Sequence, residues 1–173
     1  NLEMVLVGGK DSWRTTTLLK EREIPVIYTQ THSNPMRRFE NYDQTFTTPF
    51  QLYEAGVKFC ISNSESPFQT PHIRNLPYHA AKAASYGLPL EEALRSISLS
   101  TAEILGVEDR IGSLEVGKDA TFFIADGDIL DVRTKVTAAF IQGKQIVLND
   151  RHKMLYTKYQ EKYRQKDLLE VTD

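Results

Sequence analysis

Apolar positions in the first third of the chain fall in short continuous runs rather than in alternation. Met4-Val5-Leu6-Val7, Val26-Ile27-Tyr28-Thr29 and Val57-Lys58-Phe59-Cys60-Ile61 each read as a strand, and the first, closed by Gly8-Gly9, reads as buried on both faces. Between the first two lies a helical stretch through Leu18, Leu19 and Glu23, for which Asp11 or Ser12 is the candidate cap. Pro25 stops that helix and opens the second strand. Residues 31–46 hold Asn34-Pro35, Asn41 and Asp43 and show no period, so they read as a long irregular segment of the functional or mobile kind. Gln51 to Ala55 reads as a helix closed by Gly56, and Ser62 to Pro71 as a polar, turn-rich stretch. Three helical pieces follow, near 76–86, 90–97 and 101–105, the first and last ended by Gly87 and Gly106. Strand and helix therefore alternate, which predicts βα units on a parallel sheet.

From Ile111 the texture changes. Glycines at 112, 117, 127 and 143 punctuate apolar runs at Phe122-Phe123-Ile124, Ala138-Ala139-Phe140-Ile141 and Gln145-Ile146-Val147-Leu148. That spacing predicts a small antiparallel β unit. Residues 151–165 then read as an amphipathic helix whose Leu155, Tyr159 and Tyr163, spaced by four, form a docking stripe. The last residues, 166–173, are expected to fray.

Bulk properties narrow the function classes. The chain has 173 residues, 40% of them hydrophobic and 25% charged, the composition of a globular protein with a real core. A net charge of -2 gives no reason to expect nucleic acid as a partner, and the basic face of the last helix is read as a solvated flank of its tyrosine stripe. No run approaches the roughly 18 apolar residues of a membrane span, so no membrane partner is expected. Cys60 has no second cysteine to pair with and reads as inert core. The chain opens on Asn1-Leu2-Glu3 close to a strand-like run, so further chain is expected upstream, together with any targeting signal. The compartment stays unknown.

The stretch Leu99-Ser100-Thr101-Ala102-Glu103-Ile104-Leu105-Gly106-Val107-Glu108-Asp109-Arg110-Ile111-Gly112-Ser113-Leu114-Glu115-Val116-Gly117-Lys118-Asp119-Ala120 resembles the segment by which amidohydrolase-superfamily proteins leave their barrel and enter an accessory β unit. Imidazolonepropionase-like and prolidase-like members are the most similar. Phe123-Ile124-Ala125-Asp126-Gly127-Asp128-Ile129-Leu130-Asp131 resembles the family's apolar strand and acidic turn, with Ile129 where proline is usual. Val136 to Val147 is similar to its closing hairpin, and Leu52 to Phe59 to the helix and strand before its last catalytic loop. Gly112 and Gly117 are read as backbone punctuation, with Arg110, Glu115, Lys118 and Asp119 as charges around a tight connector.

This resemblance implies an α/β fold: the C-terminal part of a (β/α)8 TIM-type barrel, its last three βα units, plus a small antiparallel unit of the accessory domain. The implied division is 1–108 for the partial barrel, 109–150 for the accessory strands and 151–173 for the terminal helix and tail. It also implies a metal-dependent hydrolase of non-peptide C–N or dipeptide-like amide bonds, with zinc or a similar divalent metal activating water at the C-terminal ends of the strands. The family's H-x-H pair would lie upstream of this sequence. Where a histidine should follow the first apolar run, the chain has Gly8-Gly9-Lys10, and where the last strand should carry aspartate it has Ser64. A serine hydroxyl is a poor metal ligand and no carboxylate base, so this chain itself is expected to bind no metal. Glu65 is the candidate substitute, against the alternation of side chains on a strand. Glu65, His72 and Asn75 are the candidate substrate contacts, with loop packing as the plain alternative for His72. His32 reads as a surface residue and His79, inside a helix, as a solvated or core-edge one. Arg37-Arg38 read as a solvated pair that can also clamp a carboxylate. The alternative function is a non-catalytic relative acting as a binding or partner subunit. Expected partners are a small-molecule substrate and either a second copy of the chain or the missing N-terminal half.

Overall fold

The computed structural model describes residues 4–63 and 67–166. Three strands, β1 (Leu6–Gly8), β2 (Val26–Tyr28) and β3 (Phe59–Ile61), form a parallel sheet in the order β1-β2-β3. Helix α1 (Thr16–Glu21) crosses from β1 to β2, and α2 (Gln44–Glu54) from β2 to β3. After β3 a 3-10 segment (Pro67–Asn75) leads into α3 (Leu76–Ser85), α4 (Leu90–Ser96) and α5 (Leu99–Leu105). A second, antiparallel sheet holds β4 (Phe122–Ala125), β5 (Val136–Ile141) and β6 (Lys144–Ile146), and α6 (Arg151–Arg164) follows. The expected α/β alternation and the change of texture after Ile111 are both present. No described helix is long and apolar enough to cross a membrane.

The central strand carries the core. Val26 and Tyr28 are fully buried, and Leu19, Leu52, Phe59, Ile61 and Ala80 pack around them. β1 departs from its expected burial. Met4, Val5 and Val7 are exposed, because β1 is the outer strand and no described element covers that side. Cys60, as expected, is buried, and burial pushes its thiol pKa up.

Helix α2 starts seven residues before the expected Gln51 and runs through Pro49. A proline inside a helix leaves the carbonyl four residues earlier without its N–H donor. Here that carbonyl belongs to Thr45, and the buried Tyr28 hydroxyl donates to it at 2.8 Å. Thr48 Oγ1 likewise donates to the Gln44 carbonyl at 2.7 Å. The helix thus survives its proline because a strand residue replaces the missing donor. The 3-10 segment at 67–75 was also unexpected, since Pro71 and the polar composition mask any period.

The connector between the two sheets is held by backbone shape and short polar contacts. Gly112 has φ +98, and a Cβ there would lie 2.7 Å from Ala102 Cβ and 3.0 Å from Leu99 Cα. Arg110 pairs with Asp119 at 2.8 Å, and the Asp119 N–H donates to the Arg110 carbonyl at 2.8 Å. In the acidic turn, Asp126 accepts from the Lys135 N–H and Asp128 from the Leu130 N–H. These bonds fold the β4–β5 connection so that Leu130 joins the main core. Asp150 caps α6 through the Lys153 N–H at 2.9 Å. The docking stripe of α6, however, is unoccupied by the described residues: Leu155, Tyr159 and Tyr163 are all exposed.

Gly112→Ala should destabilise the fold by about 2–4 kcal/mol, since it combines a left-handed backbone with overpacking against α5. The midpoint of urea denaturation measures this, and an unchanged midpoint would show that the connector relaxes freely.

Candidate active-site mouth

Parallel strands end on the same edge of their sheet, so the residues following β1, β2 and β3 converge there. They are Gly9-Lys10-Asp11, Thr29-Gln30-Thr31-His32 and Ser62-Asn63. Gly9 has φ +63, and a Cβ on it would meet Val26 Cγ1 at 2.7 Å. The fold therefore leaves no room for a side chain at that position. Ser12 and Thr31 are buried, and their hydroxyls have no hydrogen-bond partner among the described residues.

Asp11 caps no helix. Its carboxylate instead receives both guanidinium nitrogens of Arg37, Nη1 to Oδ1 and Nη2 to Oδ2, each at 2.7 Å. Arg37 Nη1 also donates to Glu40 Oε1 at 2.6 Å, and Glu40 Oε2 accepts from the Met36 and Arg37 N–H groups. The Arg37 hydrogen bonds hold the Asp11 pKa below the usual carboxylate value. The arginine fork is thus taken up by carboxylates of the chain itself, and Arg38 lies exposed beside it. The expected solvated pair is, for Arg37, a tie from the β2–α2 loop to the β1 end.

The same loop is organised from its strand side by a relay of short bonds. Gln30 Nε2 donates to Thr29 Oγ1 and Ser33 Oγ to Gln30 Oε1, both at 2.8 Å. Thr45 Oγ1 donates to the Ser33 carbonyl at 2.6 Å. Thr45 is also the residue whose carbonyl accepts the hydrogen bond from the Tyr28 hydroxyl, so strand, loop and helix share one node.

His32, at the start of the loop, stacks on His79 of α3 with ring centroids 4.2 Å apart and an interplanar angle of 20°. His79 is 7% exposed and its Nδ1 has no partner among the described residues. Burial, then the neighbouring His32, push its pKa down to about 4. Burial and the charge of Lys82 lower that of His32, against the Tyr78 backbone. The two histidines are 47 positions apart in sequence, so no spacing rule joins them.

Ser64 and Glu65 lie outside the described residues. His72 is exposed and Asn75, which precedes α3, is half-buried. Among the described residues no three His, Cys, Asp or Glu side chains converge as a ligand group. Asp11 is engaged by Arg37 and the two imidazoles face each other. The described side chains do not by themselves fit a divalent metal.

The Amidohydrolase family model matches residues 60–147, just over half of the chain. The chain belongs to the amidohydrolase family. It is 31% identical over 104 residues to an imidazolonepropionase of Shewanella baltica, covering 58% of this chain and 24% of that protein. It is 29% identical over 110 residues to the amidohydrolase tasK of Hapsidospora irregularis, covering 64% of this chain and 11% of that protein. An amidohydrolase of Thermotoga maritima MSB8 superposes with a TM-score of 0.72 at 30% identity, over 83% of this chain and 36% of that one. An adenosine deaminase from Xanthomonas campestris, solved with bound zinc, superposes at 0.59 and 20% identity over 92% of this chain and 42% of that one. The match to the curated relatives thus spans a quarter of their length or less. Its α/β architecture, with one parallel and one antiparallel sheet, is that of a TIM-barrel-type family.

Tyr28→Phe should cost on the order of 1–2 kcal/mol, because the buried Thr45 carbonyl loses its donor while the ring stays. Chemical denaturation reads the loss, and a cost indistinguishable from zero would mean that Pro49 is tolerated without help.

Proposed function

We propose that this chain is the C-terminal part of an amidohydrolase that cleaves a non-peptide C–N bond, or a dipeptide-like amide, in a small-molecule substrate. In this reading residues 1–108 supply the last three βα units of a (β/α)8 barrel, 109–150 the C-terminal strands of an accessory unit and 151–173 the terminal helix and tail. The observation that carries it is the parallel order β1-β2-β3, with polar residues gathered at the strand ends, in a chain 31% identical over 104 residues to an imidazolonepropionase. A zinc-type metal, where the full protein holds one, would supply the activated water, and its ligands would come from outside the described residues. Ser64 holds the sequence position at which the family's aspartate is expected, and Glu65, His72 and Asn75 are the proposed substrate contacts. The exposed edge of β1, with Met4, Val5 and Val7, supports association with an N-terminal half or a second copy, since open sheet edges and apolar faces invite pairing.

A second reading, a non-catalytic partner subunit, is favoured by two observations. Ser64 is no carboxylate, and the site of the expected earlier histidine includes Gly9, which has no room for a side chain. The two readings part on one experiment with the full-length protein. Ser64→Asp restores the family residue and, in the hydrolase reading, raises turnover of cyclic-amide or N-acyl substrates by about 10²–10⁴-fold. Zinc content by elemental analysis is read alongside. Neither turnover nor bound metal in the wild type and the variant would establish the partner-subunit reading instead.

A further inference from the structure

We infer that His32 and His79 form an acid-sensitive latch, closing the β2–α2 loop onto α3 while both rings are neutral and releasing it when they are protonated. Beside the Thr45 bond to the Ser33 carbonyl, the loop has two further anchors of different chemistry. On the β1 side Arg37 grips Asp11 through two 2.7 Å bonds, and a carboxylate held below its usual range keeps that grip in mild acid. On the α3 side the contact is a stack of two imidazoles, 4.2 Å apart and 20° from parallel.

A proton added to this stack meets no counter-charge. His79 is 7% exposed, with Nδ1 unpartnered among the described residues. Lys82, on α3, lies over the Phe46 and Tyr86 rings and acts on His32 with the same sign as a second proton. Among the described residues the Tyr78 backbone is the one group that favours charge on His32. No described carboxylate on α2, on α4, on β3 or in the 3-10 segment acts on either ring. Charging one imidazole therefore removes a neutral stacking surface and places a cation beside Lys82, and charging both adds direct repulsion.

The sign and size follow from linkage. An opened loop leaves His79 hydrated, with the ordinary value of about 6.5, whereas the closed loop holds it down to about 4. A group depressed in the closed state costs nothing above its open-state value and opposes closure progressively below it. Opening is therefore expected to rise about 30-fold between pH 7.5 and 5 and to level off near 300-fold below pH 4, for His79 alone.

Hydrogen exchange of the full-length protein, corrected for intrinsic pH dependence, tests this without any substrate, so its outcome is separate from the functional reading. The Ser33 amide, which donates to the Gln30 carbonyl, should exchange about 30-fold faster at pH 5 than at pH 7.5, while the Met36 and Arg37 amides on Glu40 stay protected. In the double variant His32→Phe/His79→Phe, which keeps two stacked rings, the rise should vanish. Histidine proton resonances give a second readout, with His79 titrating near 4. A pH-independent loop, an equal rise in the double variant, an equal rise across the whole chain or a His79 midpoint near 6.5 would each overturn the latch.

Discussion

One hydroxyl decides how the first half of this protein holds together. Tyr28 sits on the central strand with both of its neighbours paired, and its phenol is fully buried. A buried hydroxyl without a partner is expensive, and so is a buried helix carbonyl. Tyr28 and Thr45 settle both needs at once, because Pro49 has removed the donor the carbonyl would ordinarily use. The same Thr45 reaches Ser33 through its own hydroxyl. The long loop after β2 is consequently fastened at its far end to the strand from which it departs. Its path across the strand ends, past Asp11 and His79, is set by that fastening.

The polar character of this mouth follows from what each charge already touches. Asp11 and Glu40 are the acids most directly placed near it, and both are bound to Arg37. The remaining described groups are the Lys10 amine, hydroxyls, amides and imidazoles depressed toward neutrality. Among the described residues this mouth is rich in neutral donors and acceptors and poor in free carboxylates. Such a surface can hold a polar small molecule by hydrogen bonds.

The sequence was legible where local signals suffice. Continuous apolar runs placed β1, β2 and β3, and the helix-glycine pattern placed α3 and α5 to within a residue or two. The long signature around Gly112 pointed to the family, and the structure supplies its physical basis in the 2.7 Å approach to Ala102. What stayed hidden depends on distant partners. The helix before β3 was read only from Gln51, because the donor that carries it through Pro49 lies 21 positions earlier, in Tyr28. Arg37 read as solvated because Asp11 is 26 residues away. His32 is exposed, as its surface reading expects, but its stack on His79 was hidden because only the turn of α3 brings the two rings together. Val7 read as buried because a continuous apolar run does not reveal which strand is outermost.

Helix α6 forms by local means alone: an aspartate at its head, cations at its end and Arg164 closing on Glu161 at 2.7 Å. None of its residues is buried. Its sequence is therefore free of the packing demands that fix every other helix in the chain. Drift in that segment, or grafting of a label or fusion partner onto it, would leave the interior untouched. Any pressure that kept its tyrosines in place would have to arise from whatever the helix meets beyond the body described here.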